Sequence, residues 1–262
     1  MTGAPLDAAA LQAGLELPWT RLTVVDETTS TNADLLVGAD RTPDGAVLVA
    51  EHQSAGRGRL DRTWTSPARS GLTFSVLLRP GTPIATWGWL PLLAGVAVRD
   101  TVVATGVDAW LKWPNDLLIG RAQRKAAGIL VQTSGEAAVI GIGLNVTTTA
   151  GELPVPTATS LALEGGGVDR SALLATLLVE LGRQYVRWRD SGGDARAGGL
   201  ATDYTDRCAT LDQYVSVSAP DGSSLRGVAT GIDAEGRLRV TADGVEHVVA
   251  AGDVDHIRPV TH

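Results

Sequence analysis

Hydrophobic and polar positions follow a strand-like period in several stretches of this chain and a helix-like period in others. Leu22–Asp26 alternates as a half-buried strand does, and Ala46–Glu51 is a continuous apolar run of strand length. Between them, Thr28–Asn32 supplies side-chain oxygens that can accept from the free N–H groups of a first helical turn, ahead of a short helix over Ala33–Val37. Gln53–Arg62 reads as a loop and Leu72–Arg79 as another strand. Ile84–Ala104 has helical spacing through Leu90, Leu93, Ala94, Ala97 and Val98. Ala109–Trp113, Gly128–Thr133 and Ala138–Val146 predict strands, and Gly151–Pro156 a Pro/Gly connection.

The clearest helix is Arg170–Arg189. Its Leu173, Leu174, Leu177, Leu178, Leu181, Tyr185 and Trp188 form one apolar stripe, with Asp169 placed as the cap. Ser191–Gly199 is polar and glycine-rich, and Leu200–Cys208 predicts a last short helix. After Leu211 the segments become short, alternating and β-branched: Tyr214–Ala219, Leu225–Ile232, Leu238–Ala242 and Val245–Ala250. Asp221-Gly222, Glu235-Gly236 and Asp243-Gly244 separate them as hairpin turns. Met1–Thr20 allows a helix over Leu6–Ala13 but offers no strong anchor, so it reads as a weakly ordered lead. The expected organisation is therefore α+β over 21–210, then a small β-barrel over 211–262, docked on the rest because so small a unit holds little core.

Composition narrows the function. With 22 basic and 29 acidic residues the formal charge is −7, which argues against gripping a nucleic-acid backbone while leaving room for a local basic loop. A hydrophobic content of 44% supports a sizeable core. The single Cys208 excludes an internal disulfide and a cysteine-based zinc site, and His52, His247, His256 and His262 lack paired ligand spacing. No signal-peptide pattern precedes Leu17, and no uncharged apolar run reaches membrane-spanning length, so a cytoplasmic protein with no membrane partner is expected.

Three stretches carry candidate chemistry. Gln53-Ser54-Ala55-Gly56-Arg57-Gly58-Arg59-Leu60-Asp61-Arg62, followed by Thr63-Trp64, sets two glycines beside three arginines. Such a loop suits a small anion, though a solvated basic turn has the same composition. It matches neither a Walker A loop nor a dinucleotide fingerprint. Lys112-Trp113-Pro114-Asn115-Asp116 and Lys125-Ala126-Ala127-Gly128 put lysines, an amide and a carboxylate near apolar strand ends, where a sheet would aim them into a cleft. Taken singly, each lysine reads equally as a surface residue, and Asp116 as a turn residue. Gly141-Ile142-Gly143-Leu144-Asn145 has alternate glycines in a strand, a sign of tight sheet packing or of close approach by a ligand.

In chain order, Ser30-Thr31-Asn32, the Gly-Arg-Gly-Arg loop, Lys-Trp-Pro-Asn-Asp, Arg124-Lys125-x-x-Gly128-Ile-Leu and Gly-x-Gly-x-Asn-Val resemble biotin protein ligases. The resemblance runs from about Leu22 to Arg258, including Gly252-Asp253-Val254-x-His256-Ile257. It departs at Asp61, which stands where the family loop has glycine; aspartate tolerates positive φ better than most residues. Only about 21 residues precede the first strand, where the family's repressor members carry a helix-turn-helix domain, so DNA binding is not expected.

The resemblance implies an α+β catalytic domain with a mixed sheet, of the biotin/lipoate ligase type, followed by a small Src-homology-3-like barrel. It implies activation of biotin by ATP to biotinyl-5′-AMP, with Mg²⁺ brought by the phosphates and no dedicated protein metal ligand. Biotin then passes to a lysine of the carrier domain of an acetyl- or acyl-CoA or pyruvate carboxylase. Lys125, Arg57, Arg59 and Asp116 would act in catalysis. Ser30, Thr31, Asn32, Gln53, Gly56 and Gly128, with Arg57 and Lys125, would hold biotin. Arg59, Arg62, Trp64, Lys112, Asn115 and Asn145 would hold the nucleotide. Competing readings are a lipoate or octanoate ligase, a biotin-responsive repressor and a non-catalytic biotin-binding module.

Overall fold

Two runs of strands decide the architecture. The computed structural model describes residues 3–59, 62–167, 169–218, 223–250 and 252–256. The chain opens with α1 (Ala8–Ala13), β1 (Arg21–Val25), α2 (Thr31–Val37), β2 (Ala46–Ala50) and β3 (Gly71–Leu78). A 3₁₀ segment, Ile84–Trp89, leads into α3 (Leu90–Val103). Then come β4 (Ala109–Lys112), β5 (Asp116–Ile119), β6 (Arg124–Ser134) and β7 (Ala137–Asn145), followed by α4 (Arg170–Asp190) and α5 (Leu200–Thr205). The tail is β8 (Tyr214–Ser218), β9 (Ser224–Ile232), β10 (Leu238–Ala242), β11 (Val245–Val249) and β12 (Asp253–His256).

The first seven strands form a mixed sheet in the order β1-β2-β3-β7-β6-β5-β4. Only β1 and β2 are parallel; every other neighbouring pair is antiparallel. One face carries Phe74, Ile129 and Ile142 into the main core beneath α3 and α4. α3 is buried nearly all round because it lies between the sheet and α4, the position an all-apolar helix demands. The opposite face is covered only in part, by α2, over a second small core of Leu35, Ala39, Leu77, Ala137 and Val139. What α2 leaves uncovered is the cleft.

Several expectations are corrected. The Ile84–Ala104 helix starts as a 3₁₀ turn and becomes α-helical only where Pro91 enters the first turn of α3. β5 is a strand that Pro114 and Asp116 made look like a turn, and β6 begins at Arg124, where two basic residues hide the apolar pattern. β12 is a short edge strand without a distinct apolar period, paired to β8. The lead is well anchored rather than loose: Leu6, Leu11 and Trp19 enter the main core. Asp7 caps α1, and Trp19 Nε1 donates to Leu178 O at 2.7 Å. Asp61 and the Asp221-Gly222 turn lie outside the described residues.

The C-terminal strands form an antiparallel sheet in the order β11-β10-β9-β8-β12. Its Asp233–Arg237 turn is seated on the first unit. Trp89 Nε1 donates to Ala234 O at 2.9 Å and Trp113 Nε1 to Gly236 O at 3.1 Å. Gly88 makes this approach possible, since a Cβ there would lie 2.1 Å from Glu235 O. No helix among the described residues is long and apolar enough to cross a membrane.

Candidate active site

Strand register assembles the site. Lys112, Asp116, Gly128, Gly143 and Thr73 are successive cross-strand partners from β4 to β3. Direct partners share a face, so this row presents a cation, a carboxylate and a bare glycine floor to the same side. Next to it, Leu130, Gly141 and Ser75 form a second row. The glycine pair in β7 is explained by what lies above it. A Cβ on Gly141 would sit 2.2 Å from Asn32 Oδ1, and one on Gly143 would sit 2.3 Å from the Trp64 indole.

At the α2 end the cleft is neutral and polar. Ser30 caps α2, its Oγ accepting from Ala33 N at 3.4 Å. Gln53 Oε1 accepts from Thr31 N at 2.8 Å and from Thr31 Oγ1 at 3.0 Å. The Thr31 and Ser75 hydroxyls are 2.6 Å apart, and Ser75 donates to Asn32 Oδ1 at 2.6 Å. Asn32 Nδ2 in turn donates to Gln132 Oε1 at 3.0 Å. Five uncharged side chains thus fix one another's orientation, as a buried polar network must.

The arginine loop is a short hairpin over the sheet. Trp64 N donates to Gly56 O at 2.9 Å, and Gly58 N to Arg62 O at 2.6 Å. Gly56 lies in the crossing itself: a Cβ there would meet Trp64 O at 2.4 Å and Gln53 Nε2 at 2.6 Å. The hairpin sets Arg57, Arg59 and Arg62 on the cleft wall and lays Trp64 over Gly128 and Gly143. Trp64 Nε1 is buried with no hydrogen-bond partner among the described residues.

The lysine reaches the cleft through a bulge. Leu117 pairs with Ala127 but Leu118 pairs with Lys125, so Ala126 is an extra residue in β6. Without a bulge to absorb that residue, strict alternation from Gly128 would place Lys125 on the opposite face. With it, Lys125 Nζ lies 2.6 Å from Asp116 Oδ1, both side chains partly open to the cleft. The cleft is open to solvent on one side, and the empty space within it, its mouth included, comes to about 740 Å³.

Comparison with known proteins bears on this arrangement. Residues 22–146 match the biotin/lipoate A/B protein ligase family, and residues 210–257 match the biotin protein ligase C-terminal domain. The chain is 42% identical to a biotin–[acetyl-CoA-carboxylase] ligase of Mycobacterium tuberculosis, over 97% of each chain. It is 30% identical to the ligase of the same name from Paracoccus denitrificans, covering 87% of this chain and 97% of that one. Its structure is similar to the biotin protein ligase of Aquifex aeolicus in complex with biotin and ATP, with a TM-score of 0.75 and 26% identity. That match covers 92% of this chain and all of the other. The chain belongs to the biotin protein ligase family.

Of the positions that the resemblance to biotin protein ligases singles out, the cleft lining gathers Ser30, Thr31, Asn32, Gln53, Arg57, Arg59, Arg62, Trp64, Asn115, Asp116, Lys125 and Gly128. Gly56, Lys112 and Asn145 lie off it. Lys112 ends the row beside Asp116, while Asn145 is buried and donates to Thr159 O at 3.0 Å. Ser75 and Gln132 escaped the sequence reading; the available signal was a serine amid the apolar run Leu72–Leu78. Cys208 is buried, and burial pushes its thiol pKa up, which disfavours the thiolate.

The glycine floor gives a family-specific expectation. Gly143→Val should leave a folded protein whose ATP affinity, measured by calorimetry, falls, because Trp64, which the resemblance assigns to the nucleotide, must leave its seat. Gly151→Ala, with open space around the glycine, is the control. Unchanged affinity in Gly143→Val would show that the Trp64 position does not matter to the ligand.

Proposed function

We propose that this chain is an ATP-dependent biotin protein ligase whose two half-reactions share the cleft of the mixed sheet. The carrying observation is the juxtaposition of a neutral hydrogen-bonding network with Lys125 and three arginines on one sheet face. An uncharged ring with donors and acceptors suits the network of Thr31, Gln53, Ser75 and Asn32, whose polar groups are already oriented. The carboxylate end of such a ligand then extends along the sheet toward the cations.

In the first half-reaction a biotin carboxylate oxygen attacks the α-phosphorus of ATP. A C–O–P bond forms, the bond to the bridging oxygen breaks, and pyrophosphate leaves. Two anions must meet, so cationic donors placed beforehand lower the barrier. Lys125 takes the point where carboxylate and α-phosphate join, while Arg57 and Arg59 clamp the acyl phosphate and Arg62 the nucleotide side. A nucleotide acceptor over the glycine floor would satisfy the buried Trp64 Nε1. Asp116 holds Lys125 Nζ in place before substrates enter. Among the described lining residues Asp116 is the one carboxylate, and no group of three ligating side chains is found among the described residues. Mg²⁺ would be held chiefly by the substrate phosphates, where it neutralises their charge.

In the second half-reaction a lysine amine of a carrier domain attacks the biotinyl carbonyl and AMP leaves. A groove continuous with the cleft runs between residues 21–210, read here as the catalytic unit, and the C-terminal unit over 211–262. It shares Arg59, Asn115 and Ile129 with the cleft and is walled by Trp87, Trp113 and Arg237. This groove is the entry we assign to the lysine-bearing turn of a carboxylase carrier domain. Biotin-dependent ATP–pyrophosphate exchange, followed by transfer of labelled biotin to a carrier domain, tests the reading. Exchange that responds to lipoate and not to biotin would replace it.

The arginine hairpin should open without ligand. Its described backbone bonds are internal, and an anion held among its three arginines would favour the closed state. Trypsin is expected to cut after Arg57, Arg59 or Arg62 in the free protein, and biotin plus ATP to suppress the cuts. Equal cleavage with and without ligands would remove the clamp role.

A further inference from the structure

The geometry points to Glu164 as a positioning residue for Lys125, acting through the segment 157–159; this rests on the adenylation reading of the cleft. Lys125 faces the cleft only because β6 bulges at Ala126, and a bulge leaves backbone groups out of the regular ladder. Here the ladder is replaced. β7 ends at Asn145, and beyond it residues 157–159 take its place beside β6, bridging Lys125 to Ala158 in parallel. Lys125 N donates to Thr157 O at 2.9 Å, and Thr159 N donates to Lys125 O at 2.9 Å. Asn145 ties this strap to the end of β7, since Asn145 Nδ2 donates to Thr159 O at 3.0 Å and Leu161 N donates to Asn145 O at 3.1 Å.

Glu164 closes the other side. Its Oε1 accepts from Thr159 Oγ1 at 2.7 Å and from Arg124 Nη2 at 2.8 Å. One carboxylate thereby joins the strap to the residue that precedes Lys125. The Glu164 side chain is 17% exposed, and it fits because position 120 is glycine: a Cβ there would lie 2.1 Å from Glu164 Oε2. Glu164 does not line the cleft, so it would not meet substrate. Its lever is the backbone. Lysine is a long, flexible stem, and a small shift of its Cα at a bulge displaces Nζ from the line between carboxylate and α-phosphate. A misplacement of about 1 Å can cost about a hundredfold in rate.

Biotin-dependent ATP–pyrophosphate exchange by the full chain tests this with Glu164→Ala and Thr159→Val. Both should lose about tenfold or more in kcat while KM for biotin stays within about twofold. Thr159→Ser, which keeps the hydroxyl, should restore the rate. In a Lys125→Ala background Glu164→Ala should remove little further activity, because it acts through the lysine. Thr159→Val deletes a single hydroxyl, so it answers even if Glu164→Ala does not fold. Exchange within about twofold of wild type in a folded variant, or the same proportional loss with and without Lys125, overturns the positioning role. If Lys125→Ala itself keeps full exchange, the adenylation reading of the lysine fails, and the positioning role goes with it.

Discussion

Lys125→Ala is expected to fold, to bind biotin, and to lose most biotinyl-5′-AMP formation. Lys125 sits on the cleft face of β6 with its Nζ 2.6 Å from Asp116 Oδ1, partly exposed, so its removal leaves no cavity in the core. Stability should change little for that reason. Biotin affinity should survive because the neutral network of Thr31, Gln53, Ser75 and Asn32 is held together by hydrogen bonds that do not involve the lysine. What disappears is the charge at the point where two anions must be brought into bonding distance. One preorganised donor at such a position is worth about 3–4 kcal/mol, or roughly a hundredfold to a thousandfold in rate. Single-turnover formation of the adenylate from labelled ATP measures this directly. A rate within about threefold of wild type would assign the charge stabilisation to the arginines alone.

Arg170→Ala should be strongly destabilising. Arg170 and Glu51 form a buried ion pair at 2.7 Å, each side chain about 5% exposed or less. The guanidinium also donates to Gly71 O at 3.1 Å and Ala4 O at 2.6 Å, and Glu51 accepts from Leu6 N at 2.6 Å. Through this pair the lead, the end of β2, the start of β3 and the first turn of α4 meet. Removing the arginine leaves a carboxylate buried without its cation, a loss of about 3–5 kcal/mol. In a chain of this size that lowers Tm on the order of 10 °C. Arg239→Ala, which breaks a largely exposed pair with Glu246, should cost no more than about 1 kcal/mol. Thermal unfolding of the two variants side by side decides it. Equal small shifts would mean that the lead is not held through Glu51.

The sequence reached far where chemistry and local period coincide. The stripe of α4 was legible because an amphipathic helix repeats its apolar face in sequence, and α4 spans Arg170–Asp190 with Asp169 capping it. The hairpin signals after Leu211 were legible because glycine turns write themselves locally. The arginine loop and Lys-Trp-Pro-Asn-Asp could be recognised as motifs, and most of their residues do line one cleft. β5 and the start of β6 were not legible, since four-residue strands and charged strand ends carry no period of their own.

The limit of sequence is visible at three places in the fold. By itself the sequence determined the fold class, the hairpin character of the tail and the motifs that mostly line one cleft, because these depend on near neighbours along the chain. The anchoring of the lead depended on Glu51 and Arg170, far apart in sequence and joined only by folding. The meaning of Gly141 and Gly143 depended on Asn32 and Trp64 coming down on them from other elements. The direction of Lys125 depended on a bulge that absorbs a single extra residue in β6, and on a strap more than thirty residues downstream that holds it. A strand's period of two makes facing sensitive to one inserted residue, and only the register of the assembled sheet records that insertion.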